Sequence, residues 1–284
     1  MAIAAQPEWL RQVPDRVGDL RLPADARVLF TGCGTSYHAA LACGPAAQAL
    51  EVVLGNSPPA DVLVAISHEG ETPITREAVE RFDGERWLIT GTPDGPIARA
   101  VDNVVVATPE LEKSYCHTVS YVCAVAAGRA LRGEDISGLA EAVERELSEE
   151  ALGATDHDRF VVAGSGRDAA TMLEAVLKLR EGAHVAAEAH HTEQLLHGHL
   201  AAIDPSVRCF VLEGEGRAAE RAGAAMTALS ELGCDATLVP TSHPVVDIVR
   251  FQRLTCDLAE ARGIDPDLIR WDEEPWDRAR KSYG

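Results

Sequence analysis

Lysine is the scarcest charged residue in this chain of 284 amino acids. Only three of the 26 basic residues are lysines, Lys113, Lys178 and Lys281, and the remainder are arginines. An amine can lose its proton and form an imine with a carbonyl compound, whereas a guanidinium group cannot. In a chain that otherwise uses arginine, the three lysines are therefore candidates for chemistry.

Positive charge and long apolar runs are scarce as well. The 45 acidic residues leave a formal net charge of −19, which repels nucleic acids and anionic membranes, so we expect neither as a partner. The most apolar stretch, 121–127, is soon followed by arginines and is too short to span a bilayer. The N-terminal residues lack the basic and apolar regions of a signal peptide, and we expect a cytoplasmic protein.

The patterns that usually mark cofactor and metal sites are missing. The seven cysteines are scattered and form no C-x-x-C pair, which argues against a disulfide framework or a zinc site. Tyr37 stands where the dinucleotide-binding fingerprint needs its third small residue. A group of four histidines has spacings that match no standard ligand pattern: His190, His191, His197 and His199. We therefore expect no metal and no bound cofactor.

The chain does contain one pattern twice. RVLFTGCGTS (27–36) and RFVVAGSGRD (159–168) are each an apolar run followed by Gly-x-Gly and a helical pattern, and later apolar runs follow in the same order. Short apolar strands that alternate with helices are typical of a parallel sheet covered on both faces. We predict an α/β fold of two tandem αβα sandwiches with flavodoxin-like parallel sheets, in residues 1–150 and 151–284.

Ligands of such sheets bind where the strands end and the next helices begin. In the first copy these positions carry small and hydroxyl-bearing residues, at 32–36 and in SHEGETPIT (67–75), which suits an anion such as phosphate. The matching segments of the second copy, GSGRD and EGEG, are poorer in hydroxyls. The sequence therefore predicts an anion site in the first copy.

Three segments resemble the isomerase half of glucosamine-6-phosphate synthase: CGTSYHA (33–39), SHEGET (67–72) and EAVLKLREGAHVAAEAHHTEQLLHG (174–198). That half belongs to the sugar isomerase (SIS) family, which also includes aminosugar-phosphate isomerases and deaminases and fructosamine-type deglycases. The resemblance extends over nearly the whole chain. It implies two SIS domains, a sugar or sugar-phosphate ligand, and a homodimer whose active site is shared between subunits.

The resemblance also implies roles for individual residues. Glu181 matches the catalytic glutamate and Lys178 a lysine one turn earlier on the same helix face, where a cation keeps a carboxylate ionised. His197 matches the ring-opening histidine and Lys281 the lysine that forms a Schiff base. Lys113 falls in a segment similar to the substrate loop of the aminosugar-phosphate isomerases. The expected substrate or phosphate contacts are Gly34, Thr35, Ser36, Ser67, His68 and Thr72.

The chain also departs from the family pattern. Glu69 replaces the second serine of the phosphate loop, His199 replaces a proline, and no glutaminase domain is expected. We predict an isomerase, deaminase or deglycase that transfers a proton between C1 and C2 of an open-chain sugar. A non-catalytic sensor of carbohydrate derivatives and an isomerase-like enzyme for a non-phosphorylated sugar remain as alternatives.

Overall fold

The computed structural model describes residues 2–153 and 155–282. The chain divides into two compact units. The first unit comprises the residues up to Ser148 together with those from Arg270 onward, and the second comprises Glu149–Ile269. Each unit contains one sheet in which all strands are parallel, so the predicted α/β fold with parallel sheets is confirmed.

The first unit is built on a five-stranded sheet with the order β2-β1-β3-β4-β5. Its strands are β1 (Val28–Gly32), β2 (Ala46–Gln48), β3 (Val62–Ile66), β4 (Glu85–Thr90) and β5 (Asn103–Val106). Its helices before the second unit are α1 (Gln6–Leu10), α2 (Val13–Val17), α3 (Thr35–Cys43), α4 (Ala49–Val53), α5 (Pro73–Arg81), α6 (Val119–Leu131) and α7 (Leu139–Ser148). Short 3₁₀ helices lie at Ile3–Ala5 and Ala98–Ala100.

Both faces of this sheet are covered. On one face, Leu63 and Ala65 of β3 pack with Val79 of α5 in a buried cluster. On the other face, α6 lies so close that a side chain at Gly128 would meet Cys43 of α3 and Ile89 of β4. This covering explains why the strands are apolar along their length, since side chains on both faces of the sheet are buried.

The second unit has a four-stranded sheet with the order β7-β6-β8-β9. Its strands are β6 (Arg159–Gly164), β7 (Ala186–His191), β8 (Val207–Leu212) and β9 (Ala236–Val239). Its helices are α8 (Ala169–Ala183), α9 (Thr192–Leu196), α10 (Arg217–Glu231) and α11 (Pro244–Arg262), with 3₁₀ helices at Gly166–Asp168 and His199–Ala202. One face packs against α10, and on the other Phe210 of β8 contacts Phe251 of α11 edge to face at 5.6 Å.

The C-terminal segment differs from the expected division of the chain. We predicted that residues 151–284 form the second domain, but the residues from Arg270 onward belong to the first unit. This segment includes helix α12 (Glu274–Lys281). Its Trp271 packs on Tyr115 of the first unit with ring centroids 3.9 Å apart. The aromatic contact thus joins the tail to a part of the chain that is remote in sequence.

No helix in the described ranges, 2–153 and 155–282, is both long and apolar enough to span a membrane.

Candidate functional site

Two turns at the carboxyl edge of the first sheet hold most of the predicted anion contacts. Gly34 lies between β1 and α3 with a φ of +54°, a conformation that glycine adopts without strain, and Thr35 and Ser36 follow in the first turn of α3. Ser67 directly follows β3, and Thr72 is the N-cap residue of α5. The N-termini of two helices, which carry a partial positive charge, therefore lie beside the predicted hydroxyl groups.

Contacts between side chains hold these two turns together. Cys33 Sγ lies 3.6 Å from Thr75 Oγ1 of α5, which joins the first turn to the second. Ser67 Oγ and Thr72 Oγ1 are 3.4 Å apart, and Ser67 is only 3% exposed. Thr72 makes no side-chain capping bond to α5. The structure thus brings Gly34, Thr35, Ser36, Ser67 and Thr72 to one edge of one sheet.

Glu69 does not force a carboxylate into this group. The residue is exposed, so its carboxylate keeps contact with water. A charge that stays hydrated avoids the large cost of burial beside an anion. The replacement of a serine by Glu69 is therefore compatible with an anion at the two turns.

His68 lies beside this group but is itself held by the protein. Its Nε2 accepts a hydrogen bond from the backbone N–H of Glu112 at 2.9 Å. A side chain at Gly91 would come within 2.4 Å of the His68 ring, so the ring fits only against glycine. Burial, with a contribution from His117, lowers the pKa of His68 to about 4, and the imidazole is neutral at physiological pH. His68 thus joins the anion turns to the segment around Glu112.

Glu112 was not identified from the sequence as a key residue. Its buried carboxylate accepts hydrogen bonds from the backbone N–H groups of Thr118, Val119 and Ser120 and from the hydroxyls of Thr118 and Ser120. These donors lie at the beginning of α6. Burial by itself raises the pKa of Glu112, but the bonds from Ser120 and Thr118 outweigh it and bring the pKa below its usual value. The available signal in the sequence was the pair of hydroxyl residues, Thr118 and Ser120, at the beginning of a largely apolar helix.

The predicted lysine and glutamate of α8 do form a pair. Lys178 Nζ lies 2.7 Å from Glu181 Oε2, and the Lys178 side chain is 1% exposed whereas that of Glu181 is 25% exposed. A second carboxylate, Glu174, is fully buried with its Oε1 3.4 Å from the same ammonium. Glu174 was not among the residues predicted from the sequence, although its spacing of four residues from Lys178 indicates a shared helix face. Of the three, Glu181 is the residue that solvent reaches.

The remaining predicted residues are exposed on the surface. His197 ends α9, where its 74% exposed side chain lies 3.1 Å from Glu193. Lys281 ends α12, where its 67% exposed side chain lies 2.6 Å from Asp277. Lys113 is exposed next to Glu112. His197 and Glu181 belong to the second unit and Lys281 to the first.

The other histidines near His197 are arranged by contact with each other. The rings of His190 and His199 stack with centroids 4.0 Å apart, and His190 Nε2 lies 3.0 Å from Glu188. Among the residues that the structure describes, no group of three histidine, cysteine or acidic side chains is arranged to hold a metal ion. His199 is thus the stacking partner of His190.

Several curated proteins are similar to this chain in sequence. The glutamine–fructose-6-phosphate aminotransferase of Aeropyrum pernix is 28% identical over an alignment covering 86% of this chain and 50% of that protein. The corresponding aminotransferase of Methanothermobacter thermautotrophicus is 26% identical, with 92% and 52% covered. The chain spans about half the length of these relatives. No family model matches it.

Solved structures share the fold over nearly the whole chain. The C-terminal domain of glucosamine-fructose-6-phosphate aminotransferase from Francisella tularensis has a TM-score of 0.76 at 19% identity, with 94% of this chain and 96% of that chain covered. A glucosamine-6-phosphate deaminase from Thermotoga maritima gives 0.72 at 20%, covering 94% and 95%. The tagatose-6-phosphate ketose/aldose isomerase of Escherichia coli gives 0.77 at 17%, covering 94% of each.

Proposed function

Because the chain belongs to the sugar isomerase (SIS) family, we propose that it acts on a phosphorylated aminosugar or ketose by proton transfer between C1 and C2. The observation that carries the proposal is the group on α8. Glu181 is partly exposed and is held at 2.7 Å by a buried ammonium, as a general base needs to be. Isomerisation, deamination and deglycation share this step, and they differ in whether nothing, ammonia or an amino acid leaves.

The anion end of the substrate is assigned to the two turns of the first unit. Thr35 and Ser36 open one helix, Ser67 and Thr72 precede another, and no acidic side chain lies in the first turn of either helix. Two helix N-termini and the neighbouring hydroxyls offer the donors that a phosphate accepts. This arrangement supports a phosphorylated ligand over a neutral one.

The proposal assigns the other steps to residues that match the family pattern. His197 opens the sugar ring, and the Lys281 amine adds to the C2 carbonyl carbon to give an imine as water leaves. Attack of water or ammonia on the same carbon then breaks its bond to Lys281 and frees the amine. Glu181 then takes a proton from one of the two carbons and returns it to the other. The protein is proposed to be a cytoplasmic homodimer in which His197 serves the neighbouring subunit.

The experiment that tests the proposal follows solvent exchange at C1 and C2. Purified protein is incubated in D₂O with fructose 6-phosphate or glucosamine 6-phosphate, and deuterium is read by NMR. We expect exchange with the native chain and a loss of about a hundredfold or more in Glu181→Gln, since a general base contributes about that much. Glu220→Gln, which changes an exposed carboxylate paired with Arg217 in the same unit, serves as the control. Exchange that persists in Glu181→Gln would contradict the role of this residue.

One observation favours a binding protein without turnover as the second candidate. Lys281 Nζ donates a hydrogen bond to Asp277 Oδ2 at 2.6 Å, and an amine held in an ion pair has to leave its partner before it can attack a carbonyl group. A ligand sensor is expected to show a thermal shift with fructose 6-phosphate but no exchange. Comparison of the shifts from fructose and from its 6-phosphate separates a phosphate site from a site for the unmodified sugar.

A further inference from the structure

An aromatic residue of the C-terminal segment packs on the body of the first unit. The Trp271 ring packs on Tyr115 with centroids 3.9 Å apart and an angle of 42° between the planes. The Arg280 guanidinium lies 4.4 Å from the centroid of the same ring. Arg280 is in the last turn of α12, directly before Lys281. Trp271 thus contacts both the body of the first unit and the end of the helix that carries Lys281.

Tyr115 belongs to a segment that is fixed on both sides. At one side, the backbone N–H of Glu112 donates to His68, which directly follows Ser67 of the anion turns. At the other side, the Glu112 carboxylate binds Thr118 at the beginning of α6. The segment 112–118 is therefore closed into a loop by Glu112, and Tyr115 lies in its middle. A continuous set of contacts runs from the anion turns to Trp271.

The backbone before Trp271 is strained. Ile269 and Arg270 have φ values of +44° and +63°, and neither is glycine. Such conformations persist only where the surrounding structure holds them, and a branched residue such as isoleucine rarely adopts them. The contacts of Trp271 supply such a restraint directly after the strained residues.

We propose that Tyr115 and Trp271 are positioning residues that dock the C-terminal helix on the segment tied to the anion turns and thereby present Lys281 to the substrate. This inference rests on the proposed imine role of Lys281. Neither aromatic side chain takes part in the chemistry. Their stack fixes the place of an amine whose own side chain is long and largely exposed. The stack also makes the position of the Lys281 amine depend on the segment 112–118, which is tied to the anion turns.

The test combines two measurements on Tyr115→Ala and Trp271→Ala. The imine with fructose 6-phosphate is trapped by borohydride, which reduces it to a secondary amine, and the adduct at Lys281 is quantified by peptide mass spectrometry. Tail docking is read separately from the rate of trypsin cleavage after Arg278, Arg280 and Lys281. We expect trapping at saturating substrate to fall about three- to tenfold, as the energy of one aromatic pair implies, and cleavage to accelerate.

A matched control exists on the same tail. Trp276 is 44% exposed and carries its own contact with Arg270, 4.2 Å from the ring centroid, so Trp276→Ala removes a similar side chain away from Tyr115. We expect this variant to trap and resist trypsin as the native chain does. Tyr115→Phe and Trp271→Phe keep an aromatic ring and are expected to restore trapping. The thermal shift with fructose 6-phosphate should stay unchanged, because the anion turns remain intact.

The outcomes separate this inference from the proposed function. Native-like trapping and native-like trypsin resistance in Trp271→Ala would overturn the positioning role. Faster cleavage with unchanged trapping would show a docking contact that does not position Lys281, and would also overturn it. A native chain that forms no adduct would overturn the assignment of Lys281 and hence its positioning, while the trypsin rates would still decide whether the stack docks the tail.

Discussion

At the scale of single residues, Glu112 shows why a buried charge is hard to assign from sequence. The bonds that it accepts come from residues six to eight positions later, at the start of α6. In the sequence it is one acid among several, and its neighbour Glu110 is exposed. The carboxylate reaches the beginning of α6 only because the backbone between Glu112 and this helix forms a loop. The composition of the segment does not describe that path.

The replacement Glu112→Gln is expected to lower the free energy of unfolding by about 3 kcal/mol, because charge-assisted hydrogen bonds are lost and an amide cannot accept all the donors. Since the folded pKa of Glu112 lies below its unfolded value, the stabilisation is present above the unfolded pKa and is lost as the pH falls through the folded value. Urea unfolding at neutral and acidic pH measures both effects. Glu110→Gln is the control, and an equal loss in both variants would contradict this account.

Asp247 is expected to have the opposite effect on pH dependence. Its carboxylate, 2% exposed on α11, accepts bonds from Ser242, while burial and nearby Asp168 raise its pKa to about 6 from 3.8. The folded state then holds the proton more tightly than the unfolded state, so stability is highest below the unfolded pKa. It falls by about 2–3 kcal/mol as the pH rises from 4 to 6 and is constant above that.

The measurement compares Asp247→Asn with the native chain by urea unfolding between pH 4 and pH 7. The asparagine variant lacks the titrating group, so its stability relative to the native chain should increase over this range. A difference that is independent of pH would show that Asp247 does not hold a proton in the folded state.

At the scale of the element, the sequence indicated two of the three charged residues that meet on α8. The spacing of Lys178 and Glu181 indicated one helix face, and the structure brings the two side chains together. The same rule applies to Glu174, yet helical spacing alone does not tell a buried face from a solvated one. Burial is decided by the packing of α8 against α11 and against the sheet of its own unit. Tertiary contacts thus determine which charged residues of α8 are buried together.

Lys178→Met is expected to destabilise the chain by about 3–5 kcal/mol, because it leaves Glu174 buried without its cation. The double variant Lys178→Met with Glu174→Gln removes that unpaired charge and should regain part of the loss. Thermal and urea unfolding of the single and double variants measure the coupling. Additive losses in the double variant would show that the two side chains do not depend on each other.

At the scale of the whole molecule, the proposed homodimer predicts complementation. If His197 serves the neighbouring subunit, a mixed dimer of Glu181→Gln and His197→Ala chains contains one intact site and one site with both defects. Random mixing of the two inactive chains after unfolding and refolding should then restore about a quarter of the native exchange activity. The exposure of His197 at the end of α9 is consistent with a role outside its own chain. No recovery in the mixture would place the complete site within one chain.

The residue pattern by itself determined the parallel α/β architecture and the turns at which an anion is expected. Periodicity and strand-end composition are local properties, and they can be recognised in the sequence because central strands such as β3 and β8 are buried on both faces. The tertiary structure alone decided that the tail belongs with the first unit, that His68 is tied to Glu112, and that Glu174 completes the group around Lys178. These contacts join residues that are distant in sequence or that are buried by remote elements. The partners are therefore determined by tertiary packing and not by local conformational preference.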